Sequence, residues 1–138
     1  MKKIVVVGVL AMHCLISAPA SATSWTKATS GTDGSIWYID TDTIKRATGT
    51  LDRDAIKVWV KTDYSAVRNE PAREAKALIF INCNEEQAKT TTLVKYRADG
   101  SILVDLSPSY SSYKPIIPET VMHGIMLAAC PFEVLIEK

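Results

Sequence analysis

Residues Asp54–Tyr64, DAIKVWVKTDY, alternate apolar and polar side chains. A period of two marks a strand with one buried face, and here it puts Ile56, Val58 and Val60 on one side and Lys57, Trp59 and Lys61 on the other. A slip of one residue would turn the whole apolar set to solvent, so the register is fixed. This chain is therefore built around a sheet with one dry face and one wet face.

The neighbouring segments extend that sheet. SIWYID, Ser35–Asp40, reads as a strand, and AKALIFINC, Ala75–Cys83, places Ala77, Ile79, Ile81 and Cys83 on a single face. TTLVKYRADGSILVDL gives two more, Thr91–Arg97 and Ile102–Leu106, joined at Asp99-Gly100, a two-residue hairpin signal. A short first strand is expected near Trp25. No link among these strands is long enough for a parallel crossover, so five or six antiparallel strands follow one another in meander order. With 138 residues and 47% hydrophobic content, the chain supports one core and one domain.

The last thirty residues change period. In YKPIIPETVMHGIMLAAC, Pro118 suits a first helical turn and Glu119 would set negative charge at the positive end of the helix dipole. Val121, Met122, Ile125, Met126 and Ala129 then form one apolar stripe, which Cys130 continues. A sheet with one apolar face needs a cover, and this is the helix available to it. The expected fold is α+β: a single antiparallel sheet of about six strands with one C-terminal helix packed across one face. After Pro131, FEVLIE is expected to add a final strand.

The N-terminus carries an export signal. Lys2 and Lys3 precede an apolar run from Ile4 to Ile16, and small residues end in an A-x-A site at Ala20, Ser21 and Ala22. Residues 1–22 are read as a cleaved signal peptide and residues 23–138 as the mature domain. The run of 13 apolar residues falls short of the ~20 that cross a bilayer, so no membrane span is expected after cleavage. His13 before Cys14 stands where lipoprotein processing wants a small residue, which favours ordinary cleavage. Loss of Lys2 and Lys3 lowers Lys+Arg from 16 to 14 against 15 Asp+Glu, leaving no basic field for nucleic acid or an anionic membrane. Cys83 and Cys130 remain, and in an exported chain two cysteines most simply form one disulfide. With the helix on the sheet, Cys130 can meet Cys83 at the end of its strand, a tie of roughly 4 kcal/mol on the chain-entropy scale.

Motifs for chemistry are sparse. Two S-x-x-K matches, Ser24–Lys27 and Ser111–Lys114, fall in a strand and a loop, where the pair is not set on one helical side. DTDTIKRATGTLD, from Asp40, opens like a calcium loop but has Lys45 at the glycine position, so a helical turn capped by Asp40 or Thr41 is expected instead. His123 is the one mature histidine and sits four residues after Glu119 at the edge of the stripe. The chain is not expected to be an enzyme. Its candidate binding residues are Lys57, Trp59 and Lys61 on the wet face with Tyr64 just beyond, since aromatic residues flanked by cations suit protein contact surfaces. The polar loop Ser65–Glu74 is a second candidate.

The order Trp25, SIWYIDTDTIKR, VWVKTDYS, the strand ending at Cys83, YRADGSI and the Pro-to-Cys helix resembles the surface-adhesin protein E family of Gram-negative bacteria, over nearly all of the mature chain. The resemblance implies an antiparallel sheet crossed by a helix and a disulfide at positions matching Cys83 and Cys130. It also implies binding, since a lipid-anchored member contacts host extracellular proteins and haem. This chain departs in lacking a lipobox, which favours an exported protein that is periplasmic or released over one displayed at the cell surface. The leading expectation is a module that binds a protein, of the host matrix or of the envelope, or a second copy of itself as a homodimer. The alternative is a small-ligand carrier, with haem first, needing a cavity lined by Met122 and Met126 with His123 in reach.

Overall fold

The computed structural model describes residues 23–106 and 111–136, so the expected leader and the boundary at Ala22 lie outside the described residues. The strands are β1 (Trp25–Ser30), β2 (Ile36–Asp40), β3 (Lys45–Arg46), β4 (Ile56–Asp63), β5 (Glu74–Asn82), β6 (Gln87–Tyr96), β7 (Ile102–Leu106) and β8 (Lys114–Pro115). They form one antiparallel sheet in the order β1-β2-β4-β5-β6-β7, with β3 added to β4 and β8 to β6. The meander is as expected from link length, but the sheet has eight strands rather than six. The two extra strands have two residues each, too short to show any period.

Alternation along β4 is complete: Ile56, Val58, Val60 and Thr62 are buried while Lys57, Trp59, Lys61 and Asp63 are half-buried. In β5 Ala75, Ala77, Ile79 and Ile81 are buried in the same rhythm. Cross-strand pairing sets Ile56 opposite Ile81, Val58 opposite Ile79 and Val60 opposite Ala77. Ile39 of β2 stands opposite Val60. These side chains make one dry face, each large one contributing roughly 1.5–3 kcal/mol by leaving water.

That face is covered by α1 (Val121–Ala129), whose Ile125, Met126 and Ala129 are buried. The helix begins later than expected. Thr120 is the N-cap, its hydroxyl accepting the His123 N–H at 3.3 Å, and no acidic residue lies in the first turn. Glu119 precedes the cap at φ 63°, so Pro118 and Glu119 shape the approach to the helix and do not belong to it. A threonine hydroxyl satisfies an orphan N–H directly, which outweighs the weaker dipole contribution of a glutamate.

Three contacts fix α1. It packs against β1 and β2, and a Cβ placed on Gly124 would lie 2.7 Å from Cβ and Oγ1 of Thr29, so the helix backbone rests directly on the threonine side chain there. Met122 borders a cavity whose other walls include Ala88 and Thr90 of β6. Cys130 is disulfide-bonded to Cys83, just past β5, across a Cα separation of 5.9 Å. Beyond Pro131 the expected final strand is absent. Cys130–Phe132 form a 3-10 turn and α2 (Glu133–Ile136) follows as one helical turn, with Arg46 of β3 bound to Glu133 at 3.3 Å. Phe132–Glu137 is a six-residue segment whose three central apolar residues fit either period, and Pro131 near the start of a turn favours the helical one.

Two turns behave as the residue types require. Asp40 caps a 3-10 turn at Thr41–Thr43, its Oδ1 accepting the Asp42 N–H at 3.2 Å. At the β6–β7 hairpin the Gly100 N–H bonds the Arg97 carbonyl and the Arg97 N–H bonds the Ser101 carbonyl. Ala98 and Asp99 are thus the central pair, one residue earlier than the two-residue Asp99-Gly100 turn expected from the sequence, and Gly100 follows them at φ 83°, a conformation that favours glycine.

Candidate functional site: the sheet face opposite the helix

Every second residue of β4 and β5 points away from α1. Lys57 pairs with Phe80, Trp59 with Leu78 and Lys61 with Lys76, so two apolar side chains of β5 join Trp59 in the middle of the wet face. Lys61 is held between two rings, its Nζ 5.0 Å from the centre of Trp25 and 4.9 Å from that of Tyr38. Lys76 lies 5.6 Å from the ring of Tyr96 and 3.4 Å from Glu74 Oε1. Cation–π contacts of this kind contribute about 0.5–1 kcal/mol at exposed sites, and they hold long lysine chains in fixed positions.

A second cluster closes the far side of the face. Lys89 Nζ bonds Asp52 Oδ1 at 2.6 Å, and the Tyr113 hydroxyl donates to the same oxygen at 2.8 Å. Lys89 also lies over Phe80 and Tyr113, 5.0 and 4.7 Å from the ring centres. Burial pushes the Asp52 carboxyl up, but the bonds from Lys89 and Tyr113 and the lysine's charge together outweigh it and leave it below the usual carboxylate range. Burial, followed by the bond to Asp52 and its charge, pushes the Tyr113 hydroxyl well up. At the end of β4, Asp63 is held low chiefly by its bonds from Ser65, with Arg73 and Lys61 adding charge.

A cleft of about 250 Å³ opens on this face between Thr43, Lys45, Lys57, Trp59 and Leu78. It sits where β4 changes partners, from β2 at Val60–Asp63 to β3 at Ile56–Lys57. The 3-10 turn between β2 and β3 leaves the side of Trp59 uncovered there.

Of the residues expected from the sequence, Lys57, Trp59 and Lys61 do share this face. Tyr64 does not join them: its ring lies 5.1 Å from Lys95 Nζ, and Lys95 pairs with buried Ala75 and reaches Glu70 at 3.7 Å. Alternation places residue 64 on the helix side with Thr62, two positions before it. The loop candidate Ser65–Glu74 is anchored by Tyr64 N–H to Arg73 carbonyl and Val67 N–H to Tyr64 carbonyl bonds. Sequence reasoning missed Lys45, Leu78 and Phe80. The last two were visible as apolar residues on the nominally polar face of β5, whereas Lys45 lies in a strand too short to detect.

On the helix side, the residues named for a small ligand are not brought to one cavity. The opening of about 540 Å³ at the start of α1 is lined by Met122, Ile116, Thr120 and Lys114 among others. Met126 is buried in the core, and His123 Nδ1 accepts the Glu119 N–H at 3.4 Å. Among the described residues no three or more His, Cys, Asp or Glu side chains are grouped to hold a metal ion.

A family model described as surface-adhesin protein E matches residues 25–131. The chain belongs to that family. Its fold is similar to that of Haemophilus influenzae protein E in crystal form II, with a TM-score of 0.53 at 14% identity over 86% of this chain and 97% of the other. A second structure of Haemophilus influenzae protein E gives 0.51 at 14%, covering 83% and 91%. Protein E from non-typeable Haemophilus influenzae gives 0.50 at 12%, covering 87% and 86%. Comparison with curated proteins finds no match. As a member of a surface-adhesin family the chain is an exported protein. Among the described residues no helix is long and apolar enough to cross a membrane.

Proposed function

We propose that this chain is a non-enzymatic adhesin-like module that binds a protein partner through the sheet face carrying Lys57, Trp59 and Lys61. The observation that supports this most is Trp59 itself: a half-buried indole at mid-strand, facing away from α1, beside Leu78 and between two lysines. Rigid aromatic area ringed by cations is the composition of interface centres, where a single tryptophan often carries much of the binding. Membership in a family of adhesins supports a binding role over a catalytic one.

The test is Trp59→Ala in the mature chain. Because Trp59 alternates away from Val58 and Val60, its removal opens no cavity under the helix, and the melting temperature should stay close to native. Retention on immobilised extracellular-matrix or envelope proteins should weaken by about thirtyfold, the equivalent of ~2 kcal/mol. A variant that melts several degrees lower and binds normally would place Trp59 in the core's service and sink the assignment.

A further inference from the structure

Lys45 and Lys57 stand directly opposite each other across β3 and β4. Like charges in that position repel and destabilise a sheet. Other cations on the sheet have acidic partners: Arg46 has Glu133, Lys76 has Glu74, Lys89 has Asp52 and Lys95 has Glu70. Neither Lys45 nor Lys57 has one among the described residues. No carboxylate lines the cleft they share, whose remaining walls are Trp59, Leu78 and the Thr43 side. Two lysines without acidic partners thus line one cleft with an indole and a leucine.

We propose that this cleft is a subsite for an acidic sugar, a pyranose ring bearing a carboxylate or sulfate, within a longer glycan chain. The ring's C–H face would pack on Trp59 and Leu78, its anionic group would lie between Lys45 and Lys57, and the Thr43 hydroxyl, which donates to the Asp40 carbonyl at 3.0 Å, could accept from a ring hydroxyl. The volume, about 250 Å³, is below the ~300–1,000 Å³ of pockets that enclose a drug-sized molecule, so it holds one unit of a ligand that continues along the face. Lys61 marks that continuation, four residues along β4 from Lys57, or about 13 Å at ~3.3 Å per residue. An acidic peptide fits less well. β4 is paired with β5 throughout, with β2 at Val60–Asp63 and with β3 at Ile56 and Lys57, so only Val58 and Trp59 lack a second strand partner, a stretch too short to add an extended peptide as a strand. Recognition has to come from stacking and charge, which is what a charged sugar offers. The inference shares with the proposed function only the premise that this face is open to partners.

The experiment compares native mature chain with Lys45→Glu on immobilised dextran sulfate, uncharged dextran serving as the blank and poly-glutamate as competitor. The native chain should bind dextran sulfate and not dextran, and Lys45→Glu should bind at least tenfold more weakly. The same variant should melt no lower than native, because a carboxylate facing Lys57 would turn a repulsive cross-strand pair into an attractive one. A substitution that spares stability while abolishing binding identifies charges kept for a ligand. Equal binding by variant and native, a lower melting temperature in the variant, or competition by poly-glutamate as strong as by free dextran sulfate would each overturn the sugar assignment. A native chain that holds a matrix protein but ignores dextran sulfate refutes this inference alone. One that binds dextran sulfate through Lys45 but no protein partner refutes the protein-binding reading alone.

Discussion

Gly124→Ala tests the seating of the helix by the sign of its effect. In a helix interior exposed to solvent, alanine is favoured over glycine by about 1 kcal/mol, so an unsupported α1 would be stabilised. In this structure the new Cβ would meet Thr29 at 2.7 Å from Cβ and Oγ1 and 3.1 Å from Cγ2, against the ~3.5–4.0 Å of a favourable contact. Threonine is stiff at χ1 and its Cβ moves only with the β1 backbone, so the overlap is relieved by shifting helix or strand. Such overpacking costs about 1–3 kcal/mol. Set against the propensity gain, the net expectation is a loss of up to about 2 kcal/mol, or a melting temperature lower by up to roughly 8 °C for a domain of this size. Thermal unfolding followed by circular dichroism, with the disulfide intact, measures it. In a Thr29→Gly background, where all three clashing atoms are gone, Gly124→Ala should instead raise stability, a coupling of the kind seen between touching residues. A higher melting temperature for Gly124→Ala alone would show that α1 does not rest on β1 as described.

Asp52→Asn should lower the melting temperature by a few degrees at pH 7, because Lys89 and Tyr113 lose a charged acceptor. Since the folded carboxyl lies below its ordinary value, its contribution is present above about pH 4 and lost as pH falls through the folded pKa, so native and variant melting curves should converge in strong acid. Divergence that persists there would assign the effect to packing. The raised Tyr113 hydroxyl adds the opposite limb: its share of stability is complete below about pH 10 and declines in more alkaline solution, which Tyr113→Phe should flatten. Intact mass with and without reductant should show no free thiol in the oxidised mature chain, and Cys130→Ser should speed hydrogen exchange in Val121–Ala129 more than in β4 and β5. Faster exchange confined to the strands would contradict that. Thr120→Ala should cost about 1 kcal/mol by freeing the His123 N–H, measured by denaturant unfolding, and an unchanged midpoint would show the cap to be idle.

Much of the architecture was legible because β4 and β5 obey a strict period of two and the α1 stripe a period near 3.6. Parity separated Trp59 from Val58 and Val60, and the two-cysteine count tied α1 to the end of β5. What escaped were features that no window of residues contains. β3 and β8 are two residues long and exist only because β4 and β6 offer them an edge. Gly124 looks like a weak point in a helix until Thr29, ninety-five positions earlier, is seen against it. Tyr64 was grouped with Lys57, Trp59 and Lys61 by nearness along the chain, although its even number already assigned it to the other face. The cleft depends on a change of strand partners at Val58–Trp59, and local pattern does not record which strand lies alongside.

The sheet's cover comes last in the chain. Every long strand, from Trp25 to Leu106, precedes Val121, and the bond from Cys83 waits for Cys130. An exported chain delivered N-terminus first therefore presents Ile39, Val58, Val60 and Ile79 to its surroundings for as long as the final segment is still in transit. In that interval the half-made sheet is a substrate for chaperones and proteases, and premature termination anywhere before residue 121 would leave it so permanently. Arrival of α1 and oxidation of one cysteine pair then end the exposure together, so that completion of the chain, rather than completion of the sheet, decides whether this molecule survives outside the cytoplasm.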